Sequence, residues 1–292
     1  MTTESNQTAA CCAQFYEQDW VQTILGDSFH PGGIDLTKRL INSLNIRKGD
    51  RVLDVACGMG TTTLLVDEQF DSYVTGVDFS EHNIQRAQDI ASSKNASVEF
   101  KIGDAANLPM DDASVDHLIC ECAVSTFADQ PLAVNDFYRV LKSGGKLAIS
   151  DMVINGKLPE KLEKLIAPWT CLASAKSAGG YQQLLLDAGF VVTSYSDESQ
   201  ALLDLVLDMK KKLLVAGLGK TLATADGVPD VLASLDIAEL KSLLDESKQL
   251  VGDGVVQYCR MTFAKDRPRI SDEPELAIAA TSSEQCGPGC DC

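Results

Sequence analysis

The stretch VLDVACGMG, residues 52–60, decides the fold of this chain. A short apolar run ends in glycines, and threonines at positions 61 and 62 open a segment with the pattern of a helix. Glycines after a strand let the backbone approach a ligand, and open α/β sheets bind ligands at the carboxyl ends of their strands. The stretch therefore predicts a nucleotide-type cofactor site at the end of the first strand.

Short apolar runs alternate with amphipathic stretches from residue 50 onward, which is the pattern of βαβ units in a mostly parallel sheet. Gly144 and Gly145 are expected to turn the chain into the fifth strand. We predict strands at residues 51–55, 73–78, 98–103, 117–122, 146–151, 190–195 and 255–265. We predict helices at residues 61–69, 80–93, 131–141, 159–176, 180–188, 200–215 and 231–251.

These elements indicate an α/β fold with a doubly wound seven-strand sheet and a helical insertion before the last strand. Residues 49–265 are expected to form this domain, with the insertion at about residues 198–252. Residues 1–48 are expected to form an N-terminal lid and helices. Residues 266–292 have three prolines, scattered charge and no periodicity, so a flexible tail that contains cysteines is expected there.

Composition limits the function classes. The formal net charge of −17 argues against nucleic acid or an anionic membrane surface as partner, because phosphates are held by clustered Lys and Arg. No run approaches the ~18 to 20 apolar residues of a membrane span, and the first residues lack the pattern of a signal peptide. A cytoplasmic protein is expected, and in that reducing compartment its ten cysteines would be free thiols.

Three aspartates end consecutive predicted strands: Asp54, Asp78 and Asp104. The glycine turn is not the G-x-G-x-x-G pattern that seats a pyrophosphate, and Asp54 beside it would repel a phosphate. An acid at this place suits a cationic cofactor without phosphate. Asp78 could accept both ribose hydroxyls and Asp104 an adenine amino group. The alternative is that each aspartate caps a helix or a turn.

The chain resembles the class I methyltransferases in the segments VLDVACGMGTTT, VTGVDFS, IGDAANLPM and VLKSGGKLAISD. The resemblance is close over residues 49–151 and looser to residue 265, and it implies a Rossmann-like fold with S-adenosylmethionine as cofactor. One departure is Ala56, where the family commonly has glycine. The residues implied in cofactor binding are Asp54, Cys57, Gly58 and Gly60 at the methionine end, Asp78 and Phe79 at the ribose and adenine, Asp104 and Ala105 at the adenine rim, and Glu121 at the end of the fourth strand.

A lid is predicted ahead of the domain. The segment GDSFHPGG, residues 26–33, must turn at its proline and glycines, and we expect His30 and Asp27 to be exposed on it. Tyr16 and His30 are the predicted lid residues. Similar lids occur in small-molecule methyltransferases, including the tocopherol and arsenite groups. Alternatively, the segment is an amphipathic helix that covers the sheet edge, and one piece could do both.

The cysteines suggest a thiol site. Side chains alternate along a strand, so Cys120 and Cys122 are expected to share one face with Glu121 opposite. Cys171 is expected in a helix after the fifth strand, and the pair Cys11 and Cys12 precedes the lid. Lone buried cysteines also behave as small hydrophobes, and this alternative holds for Cys259 and Cys120.

At these residues the chain resembles the arsenite methyltransferases, in the segments ECAVSTF, TCLASA and VQYCRMTFAK and in the tail CGPGCDC. The resemblance implies trivalent arsenic as methyl acceptor, Cys171, Cys122 and Cys12 as catalytic and arsenic-binding residues, and Cys11 as a further arsenic ligand. The third cysteine usual in the family, some 50 residues after the TCL segment, is missing here. A three-thiolate site would need Cys11 or Cys12; otherwise the site uses two thiols.

Trivalent arsenic is soft and prefers thiolates, and its lone pair carries no proton, so methylation of arsenic needs no general base. A thiol such as glutathione or thioredoxin is the expected co-reactant, and the partners are a small molecule or a metalloid. One alternative is methylation of an oxygen, nitrogen or carbon of an organic small molecule, with His30, Tyr16 or Glu121 as base. A further alternative is a thiol or metalloid-binding protein without catalysis.

Overall fold

A computed structural model describes residues 30–165, 171–172, 174–215 and 236–266 of the chain. The predictions made for Cys11, Cys12 and Tyr16, and for the tail after residue 266, lie outside the described residues.

Seven strands of the described residues form one sheet. They are β1 Arg51–Val55, β2 Tyr73–Asp78, β3 Val98–Ile102, β4 Val115–Glu121, β5 Leu141–Ile154, β6 Phe190–Asp197 and β7 Val256–Lys265. Their spatial order is β3-β2-β1-β4-β5-β7-β6. Strands β1 to β5 pair with one another in parallel, whereas β7 runs antiparallel to both β5 and β6. The predicted doubly wound seven-strand sheet is confirmed.

Helices cover the sheet. They are α1 Gly33–Leu44, α2 Thr61–Gln69, α3 Glu81–Lys94, α4 Gln130–Val140, α5 Glu160–Leu165, α6 Ala178–Asp187, α7 Ser199–Val215 and α8 Ile237–Gly252, with a 3-10 turn at Val124–Thr126. α7 and α8 lie between β6 and β7, at the place of the predicted insertion, and pack against each other. None of the helices within the described ranges is long and apolar enough to cross a membrane.

The apolar residues of β1 pack on both faces of the sheet, which is typical of parallel strands. Leu53 joins Phe137 of α4 and Tyr181 of α6 in one buried cluster. Its neighbour Val52 joins Leu40 of α1 in a second cluster on the other face. With both faces covered, the ends of the strands are the places where polar groups can meet a ligand.

The helix predicted at residues 159–176 is wrong at residues 171–172 and 174–176, while residues 166–170 and 173 lie outside the described residues. α5 is described as Glu160–Leu165, and Cys171 and Leu172 lie in a turn. Lys176 bridges to Val153 of β5, and the amide of Ile154 donates to the Lys176 carbonyl at 3.0 Å. At Lys176 the chain hydrogen-bonds to the end of β5, so we attribute the apolar pattern of this segment to tertiary packing.

Gly144 and Gly145 were expected to precede the fifth strand, but both lie inside β5, which begins at Leu141. Gly144 has φ 77°, a conformation that favours glycine. A Cβ on Gly145 would meet the Lys142 carbonyl at 2.8 Å and the Asp116 carbonyl at 2.9 Å. The pairing of β4 with β5 also shifts register between Val115 and His117. The glycines therefore permit an irregular strand rather than a turn before it.

Candidate active site

The glycine turn after β1 combines tight packing with open space. Gly60 has φ 81°, and a Cβ there would lie 2.5 Å from the Phe100 ring, so only glycine fits. Gly58 has φ 53°, and a Cβ there would meet nothing within 4 Å. Ala56 has φ 60° without being glycine. The turn is thus fixed by packing at Gly60 and open to a ligand at Gly58.

Asp54 of β1 is fully buried beneath this turn. Its Oδ2 accepts a hydrogen bond of 2.7 Å from the Thr63 hydroxyl of α2. Burial raises the pKa of Asp54 to about 7, although the Thr63 hydrogen bond lowers it. The charges of Glu121 and Asp78 add to the rise. A cationic ligand at this place would favour the charged carboxylate.

Asp78 ends β2 and holds the glycine turn from the other side. Its carboxylate accepts from the backbone amides of Gly58 at 2.8 Å and Ser80 at 2.9 Å. Asn83 Nδ2 also donates to Asp78 Oδ1 at 3.4 Å. The bond to Ser80 is the turn cap considered as the alternative for this residue, and it coexists with the bond to the glycine turn.

Asp104, Ala105 and Phe79 flank the site at the ends of β2 and β3. Asp104 is exposed and accepts from the Ala106 amide at 2.9 Å, so it also caps a turn. Ala105 is buried, while 58% of Phe79 is exposed beside Asp78. An aromatic side chain that stays exposed at a strand end offers a flat surface for an adenine.

Glu121 ends β4 and connects three other parts of the chain. It accepts from the Thr62 hydroxyl of α2 at 2.7 Å and from the Thr37 hydroxyl of α1 at 3.1 Å. His30 Nε2 lies 3.1 Å from Thr37 Oγ1 and 3.7 Å from Glu121 Oε1. The side chains of Glu121 and His30 are only 7% and 10% exposed, so the expectation of an exposed His30 is wrong.

Sequence reasoning missed Thr37 and Thr62 as partners of Glu121. The run of threonines at 61–63 follows the glycine turn directly and was a usable signal for Thr62. Thr37 gave no such signal, because its approach to Glu121 depends on how α1 packs on the sheet. Asp54, Asp78 and Glu121 together are called the acidic edge below.

Two cysteines meet beside the acidic edge. Cys122 follows β4 directly, and its Sγ lies 3.5 Å from the Sγ of Cys171. Cys171 is buried and Cys122 half-buried. The hydrogen bond to Cys171 and burial hold the pKa of the Cys122 thiol well above its usual range. These two residues are called the thiol pair below.

Cys120 and Cys122 do not share a face, contrary to the prediction. Cys120 is fully buried in the same cluster as Leu53, whereas Cys122 packs against a cluster that contains Met152 and Tyr258. The reason is the backbone of Cys122, whose φ of 52° breaks the alternation of the strand. Cys259 is likewise fully buried, so the alternative of a small hydrophobe fits Cys120 and Cys259.

A fully buried carboxylate, Asp151 of β5, orders the segment after Cys122. It accepts from the Ser125 amide at 2.9 Å, from the Ser125 hydroxyl at 2.6 Å and from the Met152 amide at 2.7 Å. Burial raises the pKa of Asp151 to about 6. Sequence reasoning treated Asp151 only as the end of a strand; a charged residue directly after an apolar run was the signal for its role.

The structure thus brings together the predicted residues of two groups. Around the glycine turn lie Asp54, Cys57, Gly58, Gly60, Asp78 and Glu121, flanked by Phe79, Asp104 and Ala105. His30 reaches Glu121, and Cys122 meets Cys171. Among the described residues, no group of three or more His, Cys, Asp or Glu is arranged to hold a metal ion, so the thiols here form a pair.

Comparison with known proteins gives a family and several relatives. Residues 46–205, more than half of the chain, match the family model described as a methyltransferase domain. The chain is 31% identical over 197 residues to phosphoethanolamine N-methyltransferase 1 of Arabidopsis thaliana, which covers 65% of this chain and 40% of that protein. It is also 31% identical over 157 residues to the arsenite methyltransferase of Halobacterium salinarum, which covers 52% of this chain and 40% of that protein.

The chain therefore spans about two fifths of the length of these two relatives. Among solved structures, phosphoethanolamine N-methyltransferase 2 of Haemonchus contortus, solved with phosphomonomethylethanolamine and S-adenosylhomocysteine, superimposes with a TM-score of 0.70 at 18% identity. The match covers 85% of this chain and 56% of that one, and at this identity it shows a common fold. With the strand order, the glycine turn and the family match in agreement, the chain belongs to the methyltransferase-domain family.

Proposed function

We propose that this methyltransferase transfers the methyl group of S-adenosylmethionine to trivalent arsenic, arsenite or methylarsenite, held by the thiol pair. The observation that carries the proposal is the 3.5 Å separation of Cys122 Sγ and Cys171 Sγ at the end of β4, adjacent in sequence to Glu121 of the acidic edge. Two thiols this close can bind one thiophilic atom together.

The acidic edge fits this cofactor. S-Adenosylmethionine carries a sulfonium and an ammonium group, and Asp54, Asp78 and Glu121 converge on an open glycine turn. Burying the charged carboxylate of Asp54 costs free energy unless the group is protonated or faces a cation. A cationic ligand would therefore lower this cost. When bound, the cofactor supplies an electrophilic methyl group, which the arsenic lone pair takes as the bond from carbon to the sulfonium sulfur breaks.

In this proposal the remaining cofactor contacts follow the strand ends. Asp54, Cys57, Gly58 and Gly60 hold the methionine end, with Glu121 held in place by Thr62 and Thr37. Asp78 accepts from the ribose, Phe79 packs on the adenine, and Asp104 and Ala105 form the adenine rim.

The thiol pair binds arsenic by exchange. As each bond between arsenic and an outgoing thiol breaks, a bond to Cys122 or Cys171 forms, and the cysteine proton leaves with the outgoing thiol. This exchange leaves no charge behind in the apolar surroundings of Cys122, consistent with the raised pKa of that thiol. Cys11 or Cys12, ahead of the lid, would supply the third thiol when the acceptor is inorganic arsenite.

Methylation turns trivalent arsenic into a pentavalent product, because the lone pair becomes the bond to carbon. Further turnover on the same arsenic atom requires two electrons from a thiol reductant, for which glutathione or thioredoxin is the class proposed. No proton leaves the nucleophile in the methyl transfer. The task of the protein residues is therefore to position arsenic and to exclude water.

A second candidate acceptor is the nitrogen of an organic small molecule. The observation in its favour is His30, a largely buried imidazole that lies 3.1 Å from the Thr37 hydroxyl and near Glu121 and could take a proton from such an acceptor. The charge of the site disfavours phosphorylated acceptors, however. The charge of Asp151 acts on the Cys122 thiol, and Glu121 directly precedes Cys122 in the sequence, so a phosphate would be repelled there.

The test is methyl transfer measured by arsenic species. The full chain is incubated with S-adenosylmethionine, arsenite and excess glutathione, and arsenic species are separated by chromatography with elemental detection. Cys171→Ser is the test variant, and Cys120→Ser is its control, because Cys120 is a buried cysteine outside the thiol pair. Calorimetric binding of S-adenosylhomocysteine and a thermal unfolding curve accompany each variant.

Methylated arsenic from the wild type and from Cys120→Ser, but not from Cys171→Ser, would support the proposal. If the wild type binds the cofactor and methylates no arsenic, the proposal is wrong and organic amines become the acceptors to test. Failure of the wild type to bind S-adenosylhomocysteine would instead support a thiol or metalloid-binding protein without catalysis.

A further inference from the structure

Gln130 is a buried polar residue that the proposed function leaves unexplained. It is the first residue of α4 and is only 6% exposed. The helix does not need it as a cap, because Asp129 accepts from the Leu132 amide at 2.9 Å. Gln130 Oε1 is buried and has no hydrogen-bond partner among the described residues. An unpaired buried acceptor costs free energy that an apolar side chain would not, so packing alone does not account for Gln130.

The amide of Gln130 ties α4 to the segment that carries Cys171. Gln130 Nε2 donates to the Ser174 carbonyl at 2.9 Å. Ser174 follows Cys171 in a turn, in which the Ala175 amide donates to the Leu172 carbonyl at 3.4 Å. Ser174 itself is exposed, so its burial does not demand the bond to Gln130. What the bond does is fix the place of this turn against the start of α4.

The connection that leads from β4 to Gln130 also carries Cys122. At its start the Cys122 amide donates to the Ser150 carbonyl at 2.7 Å. Further along, Asp151 holds the Ser125 amide at 2.9 Å and the Ser125 hydroxyl at 2.6 Å. Cys122 and Gln130 therefore belong to one short connection that β5 holds in place, and a segment bound to Gln130 is also placed relative to Cys122.

A second tether of the Cys171 segment lies farther from the cysteine. The Lys176 carbonyl accepts from the Ile154 amide at 3.0 Å. The bond to Gln130 adds a point of attachment nearer to Cys171, whose Sγ lies 3.5 Å from that of Cys122. Two thiols that are already held together bind one atom more tightly than two thiols that must first be ordered.

We propose that Gln130 is a positioning residue, which holds the turn of Cys171 beside Cys122 through its bond to the Ser174 carbonyl and thereby raises the affinity of the thiol pair for trivalent arsenic. This proposal rests on the proposed function. Gln130 touches neither arsenic nor the cofactor in it, because the residue acts through the backbone next to Cys171.

The test uses phenylarsine oxide, whose arsenic has two exchangeable bonds and therefore needs only two thiols. The full chain carries serine in place of the cysteines outside the described residues, which are Cys11, Cys12, Cys286, Cys290 and Cys292. Its affinity for phenylarsine oxide is measured by calorimetry in competition with a small dithiol. In this parent chain, Gln130→Met removes the amide and keeps the length of the side chain.

Gln183→Met is the matched control, because it makes the same change in another hydrogen-bonded amide. Gln183 Nε2 donates to Asp187 Oδ1 at 2.7 Å on the exposed side of α6. We expect Gln130→Met to weaken phenylarsine oxide binding by about fivefold, the loss expected for one hydrogen bond, and Gln183→Met to leave it unchanged. Equal binding by Gln130→Met and the parent, or an equal loss in Gln183→Met, would overturn the proposal.

Stability separates positioning from a general structural role. Gln130→Met also removes the unpaired Oε1, so the thermal unfolding temperature should not fall. Binding of S-adenosylhomocysteine should stay unchanged, because the acidic edge is intact. Gln130→Asn, whose amide is too short to reach Ser174, should show the same loss of phenylarsine oxide affinity. If both variants unfold at a lower temperature and lose affinity for both ligands alike, Gln130 is structural and the proposal is wrong.

A double mutant tests whether the amide acts through Cys171. In a Cys171→Ser chain one thiol of the pair is left, and Gln130→Met should have no further effect on arsenical binding. A fivefold loss that persists in the Cys171→Ser chain would contradict the proposal, since there is then no second thiol to position.

Failure of the proposed function gives a different result. A wild type that methylates no arsenic, together with the fivefold loss in Gln130→Met, would reject methyl transfer to arsenic and support the role of Gln130 in the thiol pair. Conversely, arsenic methylation by a Gln130→Met chain with an unchanged KM for arsenite would leave the proposed function intact and remove the role of Gln130.

Discussion

The acidic edge and the thiol pair lie side by side at the end of β4 but are built in opposite ways. Asp54, Asp78 and Glu121 are held by backbone amides and threonine hydroxyls. The thiol pair lies in an apolar cluster that contains Met152 and Val256. The difference matches the ligands proposed for each: a cation needs fixed negative charge, whereas a soft neutral atom needs sulfur in a dry place.

Substitutions in the acidic edge and in the thiol pair should therefore have independent effects on function. The largest effect is expected for the thiol pair. Cys171→Ser replaces a soft ligand with a hydroxyl, and we expect arsenic methylation to fall by at least about a hundredfold, as for a badly positioned reactant. The affinity for S-adenosylhomocysteine, measured by calorimetry, should remain within about twofold of the wild type, because the acidic edge is intact. A parallel loss of cofactor affinity would show that the acidic edge and the thiol pair form one coupled site.

Two glycines of the glycine turn, Gly58 and Gly60, can be compared to separate packing from ligand binding. Gly60→Ala places a Cβ 2.5 Å from the Phe100 ring at φ 81°, so we expect a loss of about 2 to 4 kcal/mol in the free energy of unfolding. Gly58→Ala adds its Cβ to open space at φ 53° and should cost only about 1 to 2 kcal/mol. Urea unfolding of both variants measures the difference.

For cofactor binding we expect the opposite order: the more specific effect should come from Gly58→Ala, the variant with the smaller loss of stability. Folded Gly58→Ala is expected to lose affinity for S-adenosylhomocysteine, because the new methyl group occupies the space proposed for the ligand. Normal affinity in Gly58→Ala would show that the open space beside Gly58 does not belong to the cofactor site.

The acidic edge and the thiol pair also differ in how far they could be predicted from the sequence. β1, β2 and α2 have the predicted bounds, because each combines an apolar run with a glycine, an aspartate or a run of threonines at its end. The acidic edge joins neighbouring strands, so strand ends were enough to place Asp54 and Asp78 together. The contact between Glu121 and Thr37 needed the packing of α1, which no local pattern encodes.

The sequence predicted which cysteines form the thiol pair, but not the local structure that brings them together. Cys122 and Cys171 are separated by 49 residues, and the segment of Cys171 was predicted as a helix although it forms a turn. The left-handed backbone of Cys122 could not be predicted from a cysteine, and it invalidated the assignment of Cys120 to the same face.

A pH effect sharpens the description of the acidic edge. The folded-state pKa of Asp54, raised to about 7 by burial, exceeds its unfolded value near 3.8, so the folded chain binds more protons between these pH values. The stability contributed by this proton is complete below pH 3.8 and is lost as the pH rises through 7. The expected slope from this group is at most about 1.4 kcal/mol per pH unit.

Urea unfolding at pH 5, 6, 7 and 8 measures the slope, and Asp54→Asn should reduce it. A smaller slope of the same sign should remain in that variant, because burial also raises the pKa of Asp151, to about 6. An Asp54→Asn chain with the same pH dependence as the wild type would contradict the assignment. Bound S-adenosylmethionine should flatten the wild-type curve, since a cation stabilises the charged carboxylate.

The smallest effect concerns the one departure from the family pattern in the glycine turn. Ala56 has φ 60°, where a side chain costs about 1 to 2 kcal/mol, and glycine would remove that strain. Glycine also loses about 0.5 to 1 kcal/mol through the greater freedom of the unfolded chain. We therefore expect Ala56→Gly to stabilise the protein by roughly 0.5 to 1 kcal/mol in urea unfolding. Arsenic methylation should not change, because the thiol pair is separate; a destabilised Ala56→Gly would mean that the Ala56 methyl group makes packing contacts worth more than the strain.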